Sequence, residues 1–527
     1  MKVSLYVLPF LFLLSSCSGD LMVKMMAKTP ELTDDSYKKE HSKYLKDGTY
    51  LIQYLRDNYP RLEEKEPQFS INCNQFKKNL TLVKDEVTFE ILLKRFLSSL
   101  KDGHTYSNVD FSKMDSRVVG FMLYHDFDRW VIGNVDKSID SSVIGGELVS
   151  INGISVHSFE EKIKSIESGE NSYYQFHQFK YGQPYVSYWK TLGIISDSNE
   201  IFKLEIKLNN KSRFFNSYPI DKGNGYAIGT KVEDKFTLRQ KDDFYDTIIS
   251  NKNLAYLQMN SCLDLVCIKE GIDNYTNKLS KSTALRYIKK EYPNSLDFGK
   301  FLVQFFKKIE AHKIDNLVLD LRYNTGGDSR LGKQFLWYLD SVNEPLNTKA
   351  YFKNSLGYRE CNPEIYKEYN DDYFSLNGID LPKKEISLES IYPNELFFED
   401  LDSNRIFTMD STITKFGGSL YVVIGNQTFS AGNELATIIK DNGYGELVGE
   451  PSGNKPSCAT GVTMVKLPYT KSIVYVSGMF LERPNSKLNN KEALYPDVHR
   501  NKSLDDIING VDPAMEYIYE RSSRKKQ

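Results

Sequence analysis

The stretch VVIGNQTFSAGNELATIIKDNGYGELVGEPSGNKPS, residues 422–457, decides how the chain is read. Val422, Val423 and Ile424 form an apolar β-branched run, while Leu435, Ile438 and Ile439 recur at helical spacing along one face. The pattern predicts a buried strand, a short turn carrying Ser430 and a helix that begins directly behind it. A side chain at such a junction is exposed. The unpaired N–H groups of the helix's first turn face any negative charge that forms beside it. Ser430 therefore stands where a nucleophile would stand.

A second unit of the same kind precedes it. In DNLVLDLRYNTGGDS, residues 315–329, positions 317–321 read as a central strand and Gly326-Gly327 as a turn whose N–H groups no side chain shields. A helix with Phe335, Leu336 and Leu339 follows. Upstream, LAYLQM within 253–260 reads as a core strand, and residues 297–311 as a helix with Phe298, Phe301, Leu302, Phe305, Phe306 and Ile309 on one broad face. Two strand–turn–helix units side by side predict an α/β fold with parallel strands and crossover helices. Beyond residue 445 come a strand at 446–448, the alternating GVTMVKL and SIVYVSGM, an exit loop NKEALYPDV and a final helix in DPAMEYIYERS. Residues 263–294 and 345–415 are polar, the second Tyr- and Asn-rich and weakly periodic. Both read as insertions, the second as a lid or substrate-side subdomain.

The N-terminal half is organised differently. Lys2, the apolar run 5–14 and Leu14-Ser15-Ser16-Cys17 make residues 1–17 a targeting segment too short to span a bilayer as a mature helix. The closing LSSC resembles the lipobox of bacterial lipoproteins, which implies lipidation at Cys17, export and tethering to a membrane. Residues 18–34 read as a linker and 35–115 as a helical region, with amphipathic helices over 36–61 and 88–100. LKDGHTYS, residues 100–107, follows at once: Asp102-Gly103 stops the helix and leaves His104 on the loop. Residues 116–215 change to short strands, VVGFMLY, RWVIGNV and GGELVSINGISV, before the helical SFEEKIKSI. The Gly145-Gly146 turn, the strand 148–151, the Asn152-Gly153 turn and the strand 154–156 resemble a PDZ domain. That resemblance implies binding of an extended chain terminus by strand addition to a sheet edge. Residues 216–520 then hold the α/β core with its two insertions.

Composition narrows the function classes. With 68 basic and 70 acidic residues the net charge is -2, so nothing global points to nucleic acid. The strongly basic segment is the tail RSSRKKQ, read as a solvated end. Beyond Cys17 stand Cys73, Cys262, Cys267, Cys361 and Cys458, an odd number that leaves at least one thiol unpaired within the chain. Cys262 and Cys267 are close enough in sequence to bridge in an exported protein. Paired Cys/His spacings, HExxH, a P-loop and GxGxxG are all missing, which points to chemistry without a metal or cofactor.

Taken in order, DGHT at 102–105, GGELVSINGISV, LVLDLRYNTGG, TFSAGNE, GEPSGNKP and YPDV with its D-P helix resemble the C-terminal processing (tail-specific) and tricorn-core serine peptidases. The resemblance spans roughly residues 85–520, outside the insertions. It implies a crotonase/ClpP-like peptidase core, a PDZ-like β-domain and an N-terminal helical region, acting on polypeptides near their C-termini. Some members activate serine with a lysine downstream, others with a histidine from the N-terminal region held by a carboxylate near the C-terminus. Lys455 follows Ser430 at the lysine-type spacing, but the aromatic and glycine neighbours of that pattern are missing and Pro456 stands next to it. DGHT resembles the histidine-bearing segment.

The resemblance thus implies Ser430 as nucleophile and His104 as base, with Lys455 as the alternative base. Ala431 and Gly326 or Gly327 would supply N–H groups to the oxyanion, each worth about 3 kcal/mol in comparable sites. Counting back from Pro496 lands on Asn490, and the nearest carboxylate, Glu492, is assigned to orient His104. Asp320, in a buried strand, reads as structural. The expectation is an exported serine endopeptidase, lipid-anchored in the cell envelope through Cys17, with polypeptide substrates and no nucleic-acid partner. A Ser430–Lys455 dyad and a non-catalytic peptide-binding scaffold are the competing readings.

Overall fold

Leu254–Met259, Asn316–Asp320 and Ser419–Ile424 are apolar at nearly every position because each strand is covered on both faces. In the computed structural model they are adjacent parallel strands of a six-stranded sheet, in the order Phe244–Ile249, Leu254–Met259, Asn316–Asp320, Ser419–Ile424, Glu446–Gly449 and Val498–His499, with the first strand antiparallel. The structure describes residues 27–126, 128–221, 228–231, 242–275, 295–393, 396–402, 407–488 and 491–524. The expected targeting segment with Cys17, and Asn490, lie outside the described residues. The chain divides into two units: 1–81, 239–499 and 518–527 form the first, and 82–238 with 500–517 the second.

In the first unit the helix Phe298–His312 is the crossover between two parallel strands. Asp297 caps it by accepting the Lys300 N–H at 3.1 Å, and Lys313 ends it in the left-handed conformation. Phe298, Leu302, Phe305 and Phe306 pack with Leu317, Leu319 and Phe335, and each such fully buried side chain contributes about 1.5–3 kcal/mol. The register places Leu319 opposite Val422 and Asp320 opposite Val423. The two strands therefore end level, and the turns with Gly326-Gly327 and Ser430 leave from the same edge of the sheet, where parallel α/β folds place their ligands.

A second sheet holds the antiparallel hairpin Cys458–Lys466 and Ile473–Glu482, as the alternation predicts. Part of the 345–415 stretch is built onto it: Lys349–Lys353 pairs with the hairpin, Phe352 opposite Met479, and Glu385–Ser387 pairs with Lys349–Lys353. Phe352, Tyr358, Tyr369, Leu381, Ile386 and Ile391 make a core of its own. Its helix Pro363–Asn377 buries only Tyr369, which is why the sequence there is polar and nearly aperiodic. The other insertion begins with a helix, Leu265–Tyr275, whose Cys267 and Ile268 join the main core; residues 276–294 lie outside the described residues.

The expected helical region 35–115 is divided between the units. Lys43–Asn58 and Gln68–Leu80 belong to the first and Glu86–Ser98 to the second. The buried carboxylate of Asp47 accepts the N–H groups of Tyr469 and Thr470 at 2.9 and 2.6 Å, which ties the first of these helices to the hairpin loop. The expected Cys262–Cys267 bridge is absent. Cys262 Sγ lies 3.5 Å from Asn324 Oδ1, Cys267 Sγ donates to Asp328 Oδ2 at 3.5 Å, and both are buried free thiols. Each sulfur is turned toward a polar partner on the 324–328 turn.

The second unit is a sheet in the order Ile228–Lys231, Arg129–Asp136, Glu147–Ile151, Phe202–Leu208 and Lys211–Ser217, with Phe121–Asp126 also paired to Arg129–Asp136 and Ile154–Ser155 to Glu147–Ile151. Asn152 (φ 49°) and Gly153 (φ 76°) are both left-handed, which makes the tight turn the sequence predicts. Helices Val156–Lys164, Ser172–Gly182 and Val186–Thr191 cover the sheet through an aromatic core of Trp130, Phe159, Phe179, Trp189 and Phe202. Gln183, just past the second helix, is buried. Its amide accepts the Leu123 N–H at 2.9 Å and donates to the Leu123 carbonyl at 3.1 Å, so a side chain occupies the pairing positions on that strand edge.

Candidate active site

Ser430 has φ 53° and ψ -126°, a conformation that costs a non-glycine residue about 1–3 kcal/mol and persists only when its surroundings hold it. Those surroundings are explicit. Thr428 Oγ1 accepts the Gly425 N–H at 2.9 Å and donates to the Leu321 carbonyl at 2.8 Å; the Phe429 N–H donates to the Asn324 carbonyl at 2.9 Å. On the other side the Ser430 N–H donates to Asn454 Oδ1 at 3.0 Å. Asn454 is itself buried, with its carbonyl accepting from Ser452 Oγ at 2.9 Å and from Asn433 Nδ2 at 3.2 Å. The serine is thus clamped between the end of the LDLRYN strand and the 450–457 loop, at the N-terminus of the helix Ala431–Asn442.

The glycine pair lies against it. Gly326 has φ +103°, and a Cβ there would sit 2.5 Å from Ser430 Cβ and 3.1 Å from Ser430 Oγ. Its N–H donates to Asn324 Oδ1 at 2.9 Å. Among the described residues the N–H groups of Gly327 and Ala431 donate to no partner. Of the two glycines, then, it is Gly327 that keeps a free donor. Asp320 is structural, as expected: buried, it accepts from Tyr256 Oη at 2.7 Å and from the Arg322 N–H at 3.0 Å.

Lys455 shares the loop. Its side chain is partly exposed, and within the first unit its ammonium makes no hydrogen bond to Ser430 Oγ; its carbonyl accepts from Asn433 Nδ2 at 3.1 Å. Glu492 is exposed and accepts from the Tyr495 hydroxyl. That hydroxyl first, with smaller contributions from the charges of Lys491 and Lys455, holds its carboxyl below the usual value.

His104 belongs to the second unit. Although it lies on a loop, it is 1% exposed. The turn is closed by Thr105 N–H donating to the Asp102 carbonyl at 3.2 Å. Asp102 Oδ1 accepts the His104 backbone N–H at 2.9 Å and lies 3.8 Å from Nδ1 of the ring. Glu170 accepts the Gly103 N–H at 3.2 Å, and a carboxylate oxygen of Glu170 is within 4.8 Å of a His104 ring nitrogen. Two carboxylates of its own unit therefore surround the imidazole. The residues that the sequence reading passed over are Asn324, Thr428, Asn433, Asn454 and Asp102. Asparagine is an ordinary turn residue, so its burial and its bonds to distant backbone leave no local signature.

Residues 287–500, which include Ser430 and the Gly326-Gly327 turn, match peptidase family S41. The chain is a serine-type peptidase with a segment that matches family S41. Among solved structures, mature CPAF complexed with lactacystin aligns at 12% identity over 91% of this chain and 97% of that one, with a TM-score of 0.58. Mature CPAF aligns at 11% identity over 91% and 96%, with a TM-score of 0.54. The photosystem II D1 C-terminal processing protease aligns at 13% identity over 90% and 99%, with a TM-score of 0.37. At these identities the CPAF structures speak for the fold alone. No curated protein matches it in sequence.

Proposed function

We propose that this serine-type peptidase cleaves polypeptides through an acyl-enzyme on Ser430. Ser430 Oγ attacks the peptide carbonyl while His104 takes its proton. Collapse of the tetrahedral intermediate breaks the C–N bond, and the proton passes to the leaving amine; water repeats the sequence in reverse order and frees the acid. The Gly327 and Ala431 N–H groups receive the oxyanion. The observation that carries this reading is the forced backbone of Ser430, held by bonds from two separate segments with the glycine turn packed against its side chain. Covalent labelling tests it. A fluorophosphonate is expected to modify the wild-type chain at Ser430 and the Ser430→Ala variant not at all. An intact wild-type chain that neither labels nor hydrolyses fluorescein-labelled casein would instead support a non-catalytic scaffold.

Asp102 orients His104 in this proposal, in preference to Glu492. A buried imidazolium is stabilised by a carboxylate that shares its burial, and Glu492 is exposed and already engaged by Tyr495. Asp102→Asn is expected to lower kcat by about 10⁴-fold and Glu492→Gln by less than about threefold. The reverse order would return the role to Glu492. The remaining expectations belong to the same proposal: export, tethering in the cell envelope through lipid on Cys17, and presentation of the substrate chain by the PDZ-like second unit.

A further inference from the structure

One turn beyond Ser430 the same helix carries a buried carboxylate. Glu434 is 7% exposed, and both its oxygens are occupied: Ser329 Oγ donates to Oε2, and Thr348 Oγ1 donates to Oε1 at 2.6 Å. Ser329 is the first residue of the helix Ser329–Trp337, which begins two residues after Gly327. Thr348 immediately precedes the strand Lys349–Lys353, with which the 345–415 subdomain joins the hairpin sheet. One carboxylate therefore joins three segments: the turn with one free N–H group, the helix with the other, and the inserted subdomain. Burial, and to a lesser degree the charge of Asp328, push the Glu434 carboxyl up, while the two hydroxyls and the charge of Lys333 favour its ionised form. The helices touch beside it. A Cβ added at Gly332 would lie 3.2 Å from Leu435 Cδ1, so little slack remains for one helix to slide on the other.

We propose that Glu434 is a positioning residue: it fixes the separation of the Gly327 and Ala431 N–H groups, and through Thr348 it couples the 345–415 subdomain to the reaction. This rests on reading those two groups as the oxyanion donors. Such donors act only when they are aimed in advance at the place where charge develops, and a shift of a fraction of an ångström weakens both at once. A carboxylate that merely filled a core position would affect folding and leave the chemistry of each folded molecule unchanged.

The test uses the full chain, fluorescein-labelled casein as substrate, and kcat counted per site titrated with a fluorophosphonate, with Tm recorded for each variant. Glu434→Ala is expected to lower kcat per titrated site by about 100-fold with KM within about twofold. Glu434→Gln keeps the shape, accepts one hydroxyl through its oxygen and donates to the other through its amide, and is expected to recover to within about tenfold of wild type. Thr348→Val removes only the subdomain's hydroxyl and preserves its shape; a fall in kcat of about tenfold at a near wild-type Tm is expected, and this variant decides the matter if Glu434→Ala fails to fold. Unchanged kcat per titrated site with a lowered Tm would overturn the inference and leave Glu434 a structural residue. A wild-type chain inert to both reagents would overturn the reading of Ser430 and this inference with it, a result distinct from the first.

Discussion

Replacing His104 with alanine is expected to lower kcat on fluorescein-labelled casein by about 10⁴- to 10⁶-fold, whereas Lys455→Ala is expected to leave it within about threefold. A serine hydroxyl is too weak a nucleophile to act without a base that removes its proton during attack. A lysine can serve only when desolvation frees its amine at working pH. Lys455 lacks that setting. Its side chain is partly exposed, so water reaches its ammonium. The loop geometry gives the same answer, because the residue of GEPSGNKP turned toward Ser430 is Asn454, whose Oδ1 holds the serine's backbone N–H. Lys455, next along the chain, makes no hydrogen bond to Ser430 Oγ within that unit. His104 is buried, with the Asp102 carboxylate 3.8 Å from its ring. Loss of turnover in Lys455→Ala with His104→Ala intact would move the base to the lysine. Recording Tm for both variants keeps a folding defect from being read as a chemical one.

The catalytic core was legible because its signals are local. An apolar β-branched run, a Gly-Gly or serine turn and a helical stripe each fit within twenty residues or so of chain, and two repeats of the unit imply parallel strands. The register of Leu319 with Val422 is set in the structure, since parallel direction alone leaves it open. The supports of the site were not legible. Asn324 bonds to the backbone of Gly326 and Phe429, and Asn454 to that of Ser430; these are long-range or side chain–backbone relations that an asparagine in a turn does not announce. The helix Gln68–Leu80 is hidden in the sequence for a different reason. Phe69, Cys73, Phe76 and Leu80 do recur at helical spacing, but the polar residues between them diluted the stripe. Position along the chain relative to Pro496 points to Glu492 but carries no information about burial, and Glu492 is exposed. The inserted 345–415 subdomain reads as loose sequence because a helix that buries one tyrosine needs no apolar face.

A single methyl group at Gly326 is expected to be nearly as damaging as loss of the base. The residue has φ +103°, which an L side chain rarely adopts, and a Cβ would stand 2.5 Å from Ser430 Cβ and 3.1 Å from the Phe429 carbonyl oxygen. Strain and overpacking together are expected to lower the unfolding free energy by about 2–6 kcal/mol. The turn can relieve the clash only by moving away from Ser430. That motion takes the Gly327 N–H from the place where the oxyanion forms, and kcat per titrated site is expected to fall at least about 100-fold in the molecules that remain folded. Gly378 is the control. It too has positive φ, +71°, but nothing lies within 4 Å of a Cβ added there. Gly378→Ala is therefore expected to cost about 1 kcal/mol in backbone strain and to leave kcat unchanged. Equal kcat in the two variants would mean that contact between the glycine turn and Ser430 has no part in the reaction, and the oxyanion donors would have to be sought elsewhere along the sheet edge.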